Sequence, residues 1–463
     1  MTLSRLARLL GLPLLLAGCA VSTPPTNVTA TVAPQWYAPL PHNGSNTDLT
    51  HWWQQQGDAL LVELIEAGQR VSPTVAAATT RIAQARASRV GAGAALLPKL
   101  DAAASASRSS VQPGAPLGTT AQIGLQSAWE IDLFGANRYS RDRAQAQLDG
   151  AQAGWHDARV SVAAEIANQY YGLRACQQLR DVTAADTGSR TETARLSQLS
   201  AQAGFTAPAT AALARASAAE SNARLTQQQA LCEINLKALV ALTGITEPAL
   251  RQRLAQRSAD SPMSISMSIP IASVPAQTLR QRPDVYAAEQ DVAAASAAVG
   301  NSAAQRYPRL TLAGSIGVGS FRAGGSTTNA TTWTIGPLAL TLPIFDGGTR
   351  AANLDAARAA YDEAAVGYAA KVRQAVREVE EALVNLDSTR ARSDDAQLAV
   401  DGYRASFNGT ESRYQSGLAS LVELEDARRL RLAAEISLVN LQQQRSAAWI
   451  ALYRAVGGGW QSE

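Results

Sequence analysis

The chain has little with which to do covalent chemistry. Its 463 residues include only three histidines, three cysteines and three methionines, and aromatic residues make up 5% of it. His42, His51 and His156 are scattered, with no Ser/His/Asp order, metal-ligand spacing or phosphate-cradling glycine loop around them. No enzyme, metal centre or cofactor is expected. Charge of one sign is lacking too, with 41 basic residues against 38 acidic, so there is no case for nucleic acid, which needs a clustered basic footprint. Scarce aromatics and alanine-rich tracts argue against ordinary globular cores. Long helices that approach closely through small side chains suit this composition better.

What is present begins with a leader. Arg5 and Arg8 flank an apolar run through Leu9, Leu10, Leu12 and Leu14 that ends in Leu16-Ala17-Gly18-Cys19. The run is too short to remain as a spanning helix, which takes about 20 apolar residues, and its end resembles a lipoprotein signal peptidase site. Removal of residues 1–18 would leave Cys19 to take a diacylglycerol and an N-acyl chain, and each buried lipid methylene adds roughly 0.8 kcal/mol of anchoring. An ordinary secretory leader with an incidental cysteine is the alternative. Ala20 stands where lipoproteins kept at the inner membrane more often carry aspartate, which points to the outer membrane.

The rest of the chain is written twice. Pro73 matches Pro283 and Pro98 matches Pro308 at an offset of 210, Phe134 matches Phe345 at 211, Arg138 matches Arg350 at 212, and Gly204 matches Gly417 at 213. Such drift is what small loop insertions leave in a duplicated unit. In each copy a proline opens an alanine-rich helix and a second proline ends it. Two extended segments follow, separated by Gly/Ser/Thr-rich turn regions placed at Val111–Thr120 and Arg322–Thr332. Phe134-Gly135 and Phe345-Asp346-Gly347-Gly348 then lead into very long helices, Arg138 to Gln202 and Arg350 to Gln415. Gly135, Gly347 and Gly348 permit the strand-to-helix turn and Asp346 can cap the new helix. Gly204 and Gly417 turn each long helix back, and a forty-residue arm is about 60 Å long. The pair Gly91 and Gly93, inside the first alanine-rich helix, reads as a close-packing site.

The domain plan is therefore a leader over 1–18, a lipidated tether and waist segment over 19–57, and a first repeat over 58–244. A Pro-rich linker at the equatorial region follows over 245–275, then a second repeat over 276–457 and a tail over 458–463. The extended segments alternate with period two. Ile123, Leu125, Trp129, Ile131 and Leu133 interleave with Gln122, Gln126, Glu130 and Asp132, and Leu310, Leu312, Ile316 and Val318 with Thr311, Ala313 and Ser315. A half-buried soluble sheet would show the same pattern. The outer-membrane address favours strands facing lipid, with Glu130 and Asp132 toward a lumen. Four strands leave open edges that lipid cannot satisfy, so several copies must close the barrel by rotation.

These features resemble the TolC/OprM-type outer-membrane efflux proteins, in particular their lipidated NodT-like branch. The matching stretches are Trp129-Glu130-Ile131-Asp132-Leu133-Phe134-Gly135, Arg282-Pro283-Asp284-Val285, Leu342-Pro343-Ile344-Phe345-Asp346-Gly347-Gly348 and Gly457-Gly458-Gly459-Trp460, spread over both repeats. The resemblance implies an α+β membrane protein. Its homotrimer would form a 12-stranded outer-membrane β-barrel continuous with a periplasmic α-helical barrel. It also implies a periplasmic membrane-fusion adaptor and an inner-membrane pump, commonly of the proton-driven resistance-nodulation-division class. The function implied is passive export of drugs or other small molecules. An exit duct for type I secretion or metal efflux, or a structural periplasmic coiled-coil lipoprotein, are the other readings.

The two hairpin tips differ. After Gly204 the returning helix has no charge before Arg215, whereas after Gly417 it carries Val422, Glu423, Asp426 and Arg429 within two turns. The resemblance matches Glu423 and Asp426 to the acidic lining of the family's periplasmic aperture, Val422 to an apolar constriction and Arg429 to an arginine beside it. Rings of carboxylates select cations in pores. A solvated helix face with ion pairs worth about 0.2–0.5 kcal/mol each would have the same spacing. Finally, Cys176 and Cys232 each lie 28 residues from Gly204, so an antiparallel hairpin sets them opposite one another, as a disulfide or as two buried thiols.

Overall fold

A computed structural model describes residues 21–30, 32, 35–38, 51–110, 117–256, 279 and 281–460. Cys19, His42 and most of the proposed linker lie outside the described residues.

The elements run α1 (Trp52–Gln55), α2 (Ala59–Val71), α3 (Pro73–Ala94), β1 (Lys99–Ser109), β2 (Gly118–Ile131), α4 (Ala136–Gln202), α5 (Pro208–Thr243) and α6 (Glu247–Gln256). They continue α7 (Pro283–Ala304), β3 (Arg309–Ala323), β4 (Ser326–Thr341), α8 (Thr349–Gln415) and α9 (Leu421–Ala455). Corresponding elements of the two halves have nearly equal lengths. α3 and α7 have 22 residues each, α4 and α8 have 67 each, and α5 and α9 have 36 and 35. At about 1.5 Å per residue a 67-residue helix is roughly 100 Å long.

Two compact units are drawn from both halves of the chain. One comprises residues 1–30, 80–153 and 286–370, and the other 31–79, 154–285 and 371–463.

The first unit holds a single antiparallel sheet in the order β1-β2-β3-β4. Its strands have 11, 14, 15 and 16 residues, against the roughly 9–11 that a tilted transmembrane strand needs. The expected turn at Arg322–Thr332 is not there. Ala323 pairs directly with Ser326, so the turn is only Gly324-Gly325, both at positive φ, the two-residue connection that suits strand twist. Ser326 to Thr332 read as loop because they are small and polar, yet β-branched threonine is a good strand former. Likewise Gly118 to Thr120 belong to β2. Gly91 and Gly93 have nothing within 4 Å of where a side chain would begin, so neither is a close-packing site among the described residues. Part of the tether is held. Ser296 donates to the Pro24 carbonyl at 2.6 Å, Tyr361 to that of Pro25 at 2.9 Å and Tyr139 to that of Val21 at 3.3 Å.

The second unit contains the main core. Trp52, Leu61, Leu64, Ile166, Tyr170, Leu239, Leu383, Ile450 and Tyr453 are buried together, and Trp52 stacks on Tyr453 with ring centroids 4.9 Å apart. Asp58 caps α2 by accepting from the Leu61 N–H at 3.3 Å, and its other oxygen accepts from the Tyr170 hydroxyl at 2.8 Å. In the first half of α5 the buried positions are Ala211, Ala214, Ala218 and Ser221, intervals of three and four that put small side chains in one seam. The stretch expected to be linker begins with a helix, α6, in which Leu250 is fully buried.

Candidate functional site

In the first unit, the site is the face of the sheet. Ile123 pairs with Val318, Leu125 with Ile316, Trp129 with Leu312 and Ile131 with Leu310, and directly opposed residues project to the same side. The series continues into β4, where Leu310 pairs with Leu340, Leu312 with Leu338 and Ile316 with Trp333. Most of these side chains are exposed, Ile123 at 60%, Trp333 at 67% and Ile335 at 85%, while Trp129, near the end of β2, is half-buried and donates its indole N–H to the Leu96 carbonyl at 3.0 Å. The opposite face carries Gln122, Gln126 and Glu130, opposed by Gly319, Ser315 and Thr311, and the hydroxyls of Ser315 and Thr334 lie 2.9 Å apart.

Along β4 the apolar phase changes from odd to even between Ile335 and Leu338. A bulge at Gly336-Pro337 opposite the single residue Ala313 accounts for it, because the register shifts between Leu312 and Gly314. Proline is tolerated in a strand at such a bulge.

Asp132 is a correction. β2 ends at Ile131, so Asp132 does not share a strand face with Glu130. Its carboxylate instead accepts from the backbone N–H groups of Asn137 at 3.2 Å and Arg138 at 2.8 Å, and the Arg138 side chain lies 3.4 Å away. The alternation ran one residue too far because a capping carboxylate fell into its polar phase. Asp346 does the same work in the second copy, accepting from the N–H groups of Gly348 at 3.0 Å and Arg350 at 3.2 Å and from the Arg350 side chain at 2.8 Å. The Arg350 side chain first, then these backbone donors, hold the Asp346 carboxyl below its ordinary range. Gly135, Gly347 and Gly348 all have positive φ.

In the second unit the site is the pair of hairpin turns. Gly204 and Gly417 have φ of 82° and 73°. The next N–H returns five residues, Phe205 to Ser200 at 2.9 Å and Leu418 to Arg413 at 2.8 Å, which closes each helix end. At the second tip Ser420 and Glu423 form a reciprocal capping box. The Glu423 N–H donates to Ser420 Oγ at 3.2 Å, and Ser420 N–H donates to Glu423 Oε2 at 2.6 Å. The Ser420 backbone N–H, then its hydroxyl, hold the Glu423 carboxyl below its ordinary range. Asp426 is paired to Arg429 at 3.2 Å, and both are exposed, as is Val422.

Beneath this surface lies a charge cluster that the sequence reading missed. Arg428 is 1% exposed and donates to Glu425 at 2.8 Å, Thr193 at 2.7 Å and Ser189 at 2.9 Å. Arg190 donates to Asp186 at 2.7 Å and also to Glu425, joining α4 to α9. The signal for Arg428 was present. Leu421, Leu424 and Arg428 follow intervals of three and four, so Arg428 occupies a core phase. Cys176 on α4 and Cys232 on α5 form a disulfide with Cα atoms 5.5 Å apart.

Residues 64–245 and 274–458 match the family model for outer membrane efflux proteins. The chain belongs to the outer membrane efflux protein family. The pyoverdine export outer membrane protein OpmQ of Pseudomonas putida is 30% identical to this efflux protein over all of this chain and 99% of that one. Nodulation protein T of Rhizobium leguminosarum bv. viciae is 27% identical over 97% and 92%. Among solved structures, the outer-membrane channel OprN superposes with a TM-score of 0.84 at 28% identity, covering 96% of this chain and all of that one. The Campylobacter jejuni CmeC outer membrane channel gives 0.84 at 25%, covering 96% of each. No described helix of this efflux protein is long and apolar enough to cross a membrane.

Proposed function

We propose that three copies of this efflux protein close their sheets into one 12-stranded barrel and form a passive exit duct for small molecules. A periplasmic adaptor and an inner-membrane pump of the resistance-nodulation-division class would deliver the cargo. The observation that carries this reading is the open sheet, with one face apolar and exposed, the other polar, and strands β1 and β4 unpaired along their outer edges. In lipid those edges must be paired, and rotation of identical copies pairs β1 of one with β4 of the next. Acylation of Cys19 would add an anchor, and the pump rather than the duct would choose the cargo.

We further infer that the second hairpin tip is the aperture. Asp426 supplies its carboxylate ring there, because Glu423 is committed to its helix cap. Purified full-length protein should run as a trimer that collapses on heating and should conduct ions in planar bilayers. Monomeric, heat-insensitive protein without conductance would overturn the proposal.

A further inference from the structure

On the polar face of the sheet two glycines stand directly opposite each other, Gly124 on β2 and Gly317 on β3. A methyl group on Gly124 would lie 2.6 Å from the Ile316 carbonyl oxygen and 2.9 Å from the Gly317 Cα. On Gly317 it would lie 2.7 Å from the Ile123 carbonyl oxygen and 3.0 Å from the Gly124 Cα. These neighbours are backbone atoms, which cannot swing aside as a side-chain end can. Opposed Cβ atoms in an ordinary antiparallel pair sit about 4.5–5.5 Å apart and clear the partner's backbone. Side-chain directions that instead run into the partner strand mean that the two strands fold toward each other along this line. The glycines occupy the inside of the fold, so the polar face is concave and the apolar face convex.

Neither glycine is among those at positive φ, so the requirement here is for space rather than for a special backbone conformation. Gly118 on the same face is crowded only by the end of the Phe321 side chain, at 2.9 Å, and not by backbone. Gly319, two residues further along β3, has its nearest neighbour, the Ala121 carbonyl oxygen, at 3.8 Å, ordinary contact.

We infer that Gly124 and Gly317 form the bend that curls each four-stranded sheet around a lumen, and that closure of the barrel depends on neither carrying a side chain. Curvature in closed sheets is set by glycine bends of this kind. The inference rests on the trimeric barrel proposed above. It gives alanine an unusual sign, since at an unstrained strand position alanine should be favoured over glycine.

The test compares Gly124→Ala and Gly317→Ala with Gly319→Ala in the full-length chain, expressed and extracted from membranes. Heat-modifiable trimer is scored by gel, conductance in planar bilayers, and the Cys176–Cys232 disulfide by non-reducing peptide mapping. Gly319→Ala should match the unsubstituted protein. Gly124→Ala and Gly317→Ala should each lower the trimer yield at least about tenfold while keeping the disulfide, which reports the folded helical hairpin. The double variant should be no worse than the poorer single one, because one opening of the bend relieves both clashes. Wild-type yield and conductance in both single variants would overturn the inference. So would an equal loss in Gly319→Ala, or loss of the disulfide in Gly124→Ala, since either marks general misfolding. Absence of trimer from the unsubstituted protein would instead overturn the exit-duct reading.

Discussion

Replacing Glu425 by alanine should loosen the arms near the second tip by an amount the contacts allow to be worked out. Glu425 accepts from Arg428 at 2.8 Å through one oxygen, and from Ser217 at 2.8 Å and Arg190 through the other. In Glu425→Ala, Arg190 keeps Asp186 at 2.7 Å. Arg428 keeps oxygen acceptors on Ser189 and Thr193, but its nearest remaining carboxylate is Glu411 at 3.9 Å. Breaking a buried pair by removing one partner costs about 3–5 kcal/mol, and the surviving acceptors put this case at the low end, about 3 kcal/mol. At about 1.4 kcal/mol per decade that is roughly a hundredfold rise in local opening. Native-state hydrogen exchange on the detergent-solubilised protein should show it in Leu421 to Arg431 and Asp186 to Thr193, with the strands unchanged. Arg428→Ala should cost less, because Glu425 retains Arg190. The double variant should fall short of the summed single effects. Unchanged exchange in Glu425→Ala would refute the reasoning by showing that the cluster gives no net stabilisation.

Asp426→Asn should raise single-channel conductance and weaken divalent-cation block several-fold, whereas Glu423→Gln should leave block nearly unchanged; equal effects would place both carboxylates in the passage. Serine at the second cap can be tested alone: Ser420→Ala should cost about 1 kcal/mol at the start of α9 and let the Glu423 carboxyl titrate nearer its ordinary value, followed by NMR. Cys176–Cys232 closes a loop with a sequence separation of 56, worth up to about 4 kcal/mol by chain entropy. Cysteine-to-serine variants should accordingly be cut faster by protease in α4 and α5, and equal cutting would show that packing alone holds the hairpin. Burial first, and Asp284 second, push the Asp157 carboxyl above its ordinary range, against the opposing pull of Arg454, Lys371 and Arg282. The protonated form is thus favoured in the folded state, and stability from this group is present in acid and lost as pH rises through the raised value. Asp157→Asn should therefore stabilise at neutral pH and not in acid, as read by thermal unfolding; a gain that persists in acid would point to another cause.

Much of the fold was legible because it is punctuated by residues with one physical use. Pro73 and Pro283 open α3 and α7, and Gly204 and Gly417 sit at positive φ where the long helices turn. The sheet was legible in its alternation but not in its limits. Ser326 to Thr332 have the composition of a loop, and only pairing across Gly324-Gly325 shows them to be strand. Asp132 was misread because period two cannot distinguish the last strand residue from a helix cap in the same phase. At the second tip, Ser420-Leu421-Val422-Glu423 is a capping box in plain sequence, so the local role of Glu423 was available. The bond between Arg190 and Glu425 was not, since it joins residues 235 apart along the chain and depends on how helices pack.

The bulge at Gly336-Pro337 gives β4 an error tolerance unlike that of its neighbours. Elsewhere in the strand a substitution changes one side chain on one side. Here the extra residue resets the phase for everything after it, Leu338 and Leu340 included, so deleting either Gly336 or Pro337 would remove the bulge and leave Leu338 opposite Leu312 and Leu340 opposite Leu310 on the apolar face. Removing both would set Leu338 opposite Ala313 and turn the end of the strand inside out. This position should tolerate the loss of one residue and reject the loss of two, a rule that deletion scanning reads directly and that no inventory of side-chain contacts contains.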